Sequence, residues 1–404
     1  MGNELQQRRS RVLGPGMRLS YNRPVHAVSA EGVWITEADG TKLLDAYNNV
    51  AHVGHSRPEV VEAIAAQART LNTNTRYLAD IVVAYAERIG ALLPDEVKVV
   101  YFANSGSEAN DLAWRMARTV TGRTGAIVSS HAYHGATDLT MATSPEELGL
   151  EHLPPWVATI DMPAGLHGPS LEPALSELSQ AGHPPAFVAF DTVLSSDGIF
   201  DPSPALAVFA DQIRAVGGLM IADEVQAGFG RIGPSLWGFA ASGITPDIVT
   251  LGKPMGNGHP IAAVVTTASI AQRFADSGYY FSTFAGNPVS AAAGMAVLDI
   301  MEAEALPDAA LAVGDSLRSA LSSIDHPAIK EVRGRGAFTG VEIGQSVPDE
   351  ATARSIVDGM RERNVLIGRT GVTRNVLKIR PPLVFGPQHA DMLLDAFTDT
   401  LASL

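Results

Sequence analysis

Two apolar runs in this chain each end on charged side chains that an ordinary surface loop does not require. Gly218 to Ala222 runs into Asp223 and Glu224, and Asp247 to Leu251 runs into Gly252-Lys253-Pro254. In an open α/β sheet such strand ends border the crevice where ligands bind. No acid, arginine or second lysine lies between Thr250 and His259, so Lys253 is poorly placed as a solubilising residue. Lysine forms Schiff bases, and enzymes that use pyridoxal phosphate pair that lysine with an acid on the pyridine nitrogen. Asp223 and Lys253 could supply both groups, although a lysine in a plain glycine-rich loop would give the same pattern.

Other stretches add candidates. In Asn104-Ser105-Gly106-Ser107-Glu108, Ser105 and Glu108 have capping-box spacing, which predicts a helix starting there. The free N–H groups of its first turn, the close backbone approach allowed at Gly106 and the Ser107 hydroxyl would make an anion site. His131-Ala132-Tyr133-His134-Gly135 ends another strand and offers Tyr133 as a ring to stack on an aromatic cofactor. Phe281-Ser282-Thr283 opens a loop whose hydroxyl could reach a phosphate, in its own or a neighbouring subunit.

Several tempting patterns are discounted. Gly228-Phe229-Gly230-Arg231-Ile232-Gly233 matches GxGxxG, but an acid pair precedes it and Pro234 follows where an apolar helix should start. His52 and His55 form HxxH with no third ligand nearby, so no metal is expected. Pro254 after Gly252-Lys253 excludes a P-loop, and neither GxSxG nor HExxH occurs.

The elements that must hold these residues follow from periodicity. Between Val99 and Thr267, apolar strands alternate with helical patterns, which predicts a mostly parallel mixed sheet covered by helices on both faces. Strands with an Asp39-Gly40 turn come first, and an amphipathic helix begins near Pro58. Beyond about Met301 the pattern becomes α+β. The expected division is a large domain over 49–300 and a smaller α+β domain from 1–48 and 301–404.

At 404 residues and 46% hydrophobic content, the chain can bury a large core. A net charge of −14 argues against a nucleic-acid partner and requires any anionic substrate to find local positive charge. With no cysteine there is no disulfide or thiolate chemistry. No secretory signal, myristoylation pattern or membrane span is read, so the expected location is the cytoplasm.

Taken together these stretches resemble the class III, or ω-type, pyridoxal phosphate aminotransferases, from about Pro24 to the C-terminus. The resemblance implies fold type I, a homodimer with active sites at the interface and pyridoxal 5′-phosphate as cofactor. It places the Schiff base at Lys253, Asp223 on the pyridine nitrogen, Gln226 near the phenolic oxygen and Tyr133 on the ring. Ser105, Gly106 and Ser107 would hold the phosphate, with Thr283 reaching it from the partner chain.

NVAHVGH, LNTNTRYLAD, YFANSGSEANDLA, TPDIVTLGKPMGNGHPIAAVVTT and GNPVSAAAGMAVLDI are similar to the phospho-lyase branch, which includes ethanolamine-phosphate phospho-lyase. Two departures from the aminotransferase pattern agree with that branch. Lys378 stands where many relatives carry an arginine that grips a substrate carboxylate, and Lys does not conservatively replace that fork. Asp191 stands where the family usually has Glu. The branch implies elimination of phosphate and ammonia from O-phosphoethanolamine, a phosphorylated amine, to give acetaldehyde. Its alternatives are an ω-aminotransferase and an ammonia-lyase acting on an aminoethylphosphonate. Arg76, Lys378, Arg380 and Arg231 are the candidate cations for the substrate phosphate, and Asp191 is a further candidate in the substrate site.

Overall fold

The computed structural model describes residues 2–48 and 50–404. Fifteen strands form three sheets among the described residues. An N-terminal meander of β1 (Ala27–Glu31), β2 (Trp34–Glu37) and β3 (Lys42–Asp45) is followed by a helix, Pro58–Thr70, with proline in its first turn. The expected turn lies between β2 and β3, with Gly40 at φ +89°, a conformation that favours glycine.

Next come β4 (Val97–Ala103), β5 (Gly125–Ser129), β6 (Val157–Ile160), β7 (Pro185–Asp191), β8 (Leu219–Asp223), β9 (Ile248–Leu251) and β10 (Ala262–Thr267). They form one seven-stranded sheet in the order β4-β10-β9-β8-β7-β5-β6. Only β10 runs antiparallel to its neighbours β4 and β9, so the sheet is mixed and mostly parallel.

Side-chain alternation splits these strands between two cores. Phe187, Ala189, Ile221, Ile248 and Val264 pack on one face with Leu112, Ala113 and Trp114 of the helix Gly106–Thr121. Val188, Phe190, Met220, Val249 and Val265 pack on the other with Ala293 and Val297 of the helix Pro288–Ala303. Burial on both faces explains why the strands read as unbroken apolar runs.

The remaining strands are β11 (Ile329–Arg335), β12 (Phe338–Ile343), β13 (Val365–Leu366), β14 (Gly368–Thr370) and β15 (Val376–Ile379). β13 joins β3 in parallel, completing a four-stranded sheet of N-terminal and C-terminal segments. Val33 and Leu44 share a core with Val341, Ile356, Leu377 and Phe397. On this basis we propose keeping the division into 49–300 and 1–48 with 301–404. Its edge residue Asn49, like Met1, lies outside the described residues. Leu306, Ala310 and Leu383 pack in the large-sheet core, so contacts cross that boundary.

Candidate active site

The parallel strands deliver their C-terminal ends to one edge, where a cavity of about 320 Å³ opens. That volume is at the small end of the range typical of small-molecule sites, about 300–1,000 Å³. Ser107, Tyr133, Asp191, Asp223, Gln226 and Lys253 all line it. Asp191 and Asp223 end adjacent parallel strands and pair in register, which sets two carboxylates side by side.

Strand alternation separates Asp223 from Glu224. Glu224 turns away from the cavity, where its carboxylate accepts from Thr192 Oγ1 (2.9 Å) and the amides of Gly238 (3.0 Å) and Phe239 (2.8 Å). Asp223 Oδ2 bonds His134 Nδ1 at 2.7 Å and accepts from Asn110 Nδ2 at 2.9 Å, while its Oδ1 accepts from Val225 N at 3.1 Å. Burial pushes its proton affinity up, but His134 and Asn110 outweigh burial and hold the carboxyl below the usual carboxylate range. Asp223 is therefore an anion at neutral pH. His134 and Asn110 were missed by sequence reasoning. Asn110 lies one helical turn past Gly106, and His134 lies beside Tyr133, but their shared target is over 80 residues away.

Lys253 opens a short turn, Lys253–Gly256, directly after β9, and its backbone is held at φ +26°. A left-handed conformation is costly for any residue but glycine and is kept only where the surroundings enforce it. Burial, followed by the positive charge of Arg380, lowers its amine to about 8, against the opposing pull of Asp223 and Asp191. A substantial neutral fraction at physiological pH is what a nucleophilic or proton-accepting amine needs.

Ser105 caps the helix Gly106–Thr121, accepting from Glu108 N at 3.2 Å. The expected reciprocal bond is displaced by one residue, because Glu108 Oε2 accepts from Asn104 N (3.0 Å) and Asn104 Nδ2 (2.8 Å). A methyl group on Gly106 would lie 2.8 Å from Val225 Cγ1, and one on Gly135 would lie 2.7 Å from Ser107 Oγ. These glycines allow two backbone segments to close around the helix N-terminus, a natural anion cradle.

The remaining expected residues are placed differently. Arg76 is outside the cavity lining, with its guanidinium 3.9 Å over Phe281 and Nε donating to Tyr279 Oη at 3.3 Å. Thr283 is exposed in the same outer region. Lys378 sits behind the cavity and donates to Ser195 O at 2.9 Å. Asp191 lines the cavity while accepting from Val193 N (3.2 Å) and Ser195 N (3.0 Å), so Lys378 and Asp191 hold the two ends of one peptide residue. Burial and neighbouring Asp223 raise the Asp191 carboxyl. Arg380 donates to Tyr47 O at 2.9 Å and to Gln226 Oε1.

Arg231 requires a correction. It is fully buried and donates to Pro381 O (2.7 Å), Ala337 O (3.3 Å) and His52 Nδ1 (3.2 Å), so it joins chain segments and does not line the cavity. His52 Nε2 bonds Phe229 O at 2.7 Å and His55 pairs with Asp45 at 2.6 Å. No metal-holding cluster occurs among the described residues.

The model for aminotransferase class-III matches residues 18–401. The chain belongs to the class-III aminotransferase family. It is 38% identical to an alanine–glyoxylate aminotransferase 2-like protein of Drosophila melanogaster, covering 98% of this chain and 86% of the relative. It is 34% identical to ethanolamine-phosphate phospho-lyase homolog 1 of Caenorhabditis elegans, covering 96% and 90%. A phospholyase from Arthrobacter, solved in complex with phosphoethanolamine, superposes with a TM-score of 0.95 at 43% identity, covering 99% of this chain and all of that one. The fold is pyridoxal phosphate fold type I, the protein is an enzyme of this family, and its cofactor is pyridoxal 5′-phosphate.

The site fits that group on its own chemistry. Asp223 offers a buried anion for the pyridine nitrogen, Lys253 an amine of lowered proton affinity, and the glycine-lined helix N-terminus a place for phosphate.

Proposed function

We propose that this enzyme is a phospho-lyase that eliminates phosphate and ammonia from O-phosphoethanolamine. Its likeness to the Arthrobacter phospholyase over nearly the whole of both chains carries the reading. Position 378 agrees with it: the Lys378 amine is tied to Ser195 O, so this wall presents no guanidinium fork for a carboxylate, and phosphoethanolamine has no carboxylate.

One phosphoethanolamine and one water give acetaldehyde, ammonia and inorganic phosphate, with no oxidant and no amino acceptor. When bound in this site, pyridoxal phosphate would supply an electron sink for the pair left when the C–H bond beside the substrate nitrogen breaks. In this reading the Lys253 amine removes that proton from the carbon bearing nitrogen. Asp223, kept ionised by His134 and Asn110, holds a proton at the pyridine nitrogen. The C–O bond on the next carbon then breaks, its electron pair leaving with phosphate, and water releases ammonia from the two-carbon fragment.

We further propose a homodimer. Tyr77, Leu78, Tyr279 and Phe284 are 67%, 98%, 74% and 72% exposed, an apolar face beside Arg76 that a second copy would cover. That copy would supply Thr283 to the phosphate end of the site.

The aminotransferase names among the relatives favour a second reading, in which Lys253 returns the proton to the cofactor and a keto acid is required. Incubating the holoenzyme with O-phosphoethanolamine alone separates the two. Repeated release of phosphate and acetaldehyde without a keto acid is expected. Conversion of the cofactor to its aminated form after one turnover, with no phosphate, would sink the proposal.

A further inference from the structure

Beside Arg231, Arg380 is a second expected cation whose surroundings do not fit a substrate ligand. Its Nε donates to Tyr47 O at 2.9 Å, its backbone N donates to Ala46 O at 2.9 Å, and its guanidinium lies 4.8 Å over the Tyr47 ring. Its Nη1 donates to Gln226 Oε1. Gln226 lines the cavity and Arg380 does not.

A carboxamide has one accepting end and one donating end. A guanidinium has donors only, so the end it contacts must be the oxygen. Gln226 Nε2 is then the free end, and it has no hydrogen-bond partner among the described residues. A side chain that could rotate by half a turn is thereby set with its donor free for the cavity, the polarity needed to meet an anionic phenolic oxygen.

We infer that Arg380 is a positioning residue, which fixes the Gln226 carboxamide so that its N–H₂ group faces the cofactor's phenolic oxygen, and that it does not bind the substrate phosphate. The inference rests on the proposed role of Gln226 at the cofactor. The charge on Arg380 also acts on Lys253, where it is the first charge that lowers the amine. One guanidinium therefore acts on both the Gln226 carboxamide and the Lys253 amine.

A double-mutant cycle on cofactor affinity tests this, with pyridoxal phosphate titrated into the cofactor-free full-length protein and tryptophan fluorescence followed. A hydrogen bond to a charged group is worth roughly 1.5–3 kcal/mol, so Gln226→Ala should weaken binding about tenfold or more. Arg380→Met should weaken it by at least as much, since it also removes a charge that acts on Lys253, and the double variant by no more than Arg380→Met alone, because Gln226 acts through Arg380. Arg380→Lys keeps the charge but not the two-armed geometry, and should fall between wild type and Arg380→Met; it also serves if the Met variant does not fold.

Losses in the double variant that equal the product of the single losses would overturn the inference. So would Arg380 variants that bind cofactor like wild type but raise KM for phosphoethanolamine, the pattern of a direct substrate ligand. If Gln226→Ala itself binds cofactor normally, the role of Gln226 fails first and the inference falls with it.

Discussion

The cavity has two walls built on different terms. The inner wall is the carboxyl edge of the seven-stranded sheet, where Asp223 is held by three hydrogen bonds and Lys253 by an enforced backbone. The outer wall lies beyond the residues that line the cavity in a single chain; it carries Arg76, Tyr279 and Thr283, all exposed to solvent. The inner wall is complete within one chain because its partners are strand neighbours and the helix packed on them. The outer wall has only side chains on loops, and in the proposed homodimer a second copy would cover it. Under the proposed function, the difference would separate the general chemistry of the cofactor from the choice of substrate.

The largest effect expected from breaking the inner wall is at Lys253. Lys253→Ala should abolish the Schiff-base absorbance and reduce turnover by at least the ~10²–10⁴-fold attributable to a positioned base. A variant that kept the absorbance would show that another amine carries the chemistry. Asp223→Asn keeps the shape but removes the anion, and should slow turnover by roughly 10²–10³-fold while cofactor still binds. Steady-state kinetics on the purified variant check this.

The outer wall should respond in KM. Arg76→Ala should raise KM for phosphoethanolamine by about 10–100-fold, on the scale of a lost charge-assisted hydrogen bond, with the cofactor spectrum unchanged. Equal losses in kcat and cofactor affinity would erase the distinction between the walls.

The smallest effect lies behind the inner wall and concerns stability. Asp197 is buried against Ser129, and burial, with Asp191 and Glu146 nearby, raises its carboxyl from 3.8 to about 7. The native state then keeps a proton that the unfolded chain has released. Stability from this group is complete below the ordinary carboxylate range and is lost as pH rises through about 7. Urea midpoints at about pH 5 and about pH 8 should converge in Asp197→Asn relative to wild type, where the higher pH is the weaker.

Legibility in the sequence follows the same division. Asp223, Lys253 and the Ser105 cap were readable because each is fixed by its own strand end or helix start. The mixed, mostly parallel sheet was readable because strands buried on both faces are apolar throughout. Arg231 was misread because a guanidinium inside GxGxxG looks available until Pro381 and Ala337, more than a hundred residues away, take its donors. Lys378 and Asp191 converge on Ser195, a link no spacing contains. His134 was passed over for the same reason, since its role depends on a carboxylate from another strand.

The antiparallel strand β10 has a consequence for the order in which this protein can be made. β4 carries the loop to Ser105 and Gly106, yet its partner in the sheet is β10, with Tyr101 opposite Val264. Well over a third of the chain separates the two, so the closure is slow and costly in loop entropy. During synthesis, the helix that would cradle the cofactor phosphate waits for β10 before its supporting strand has a neighbour. A ribosome-bound chain that ends before Ala262 should therefore contain Lys253 and Asp223 and still be unable to retain cofactor.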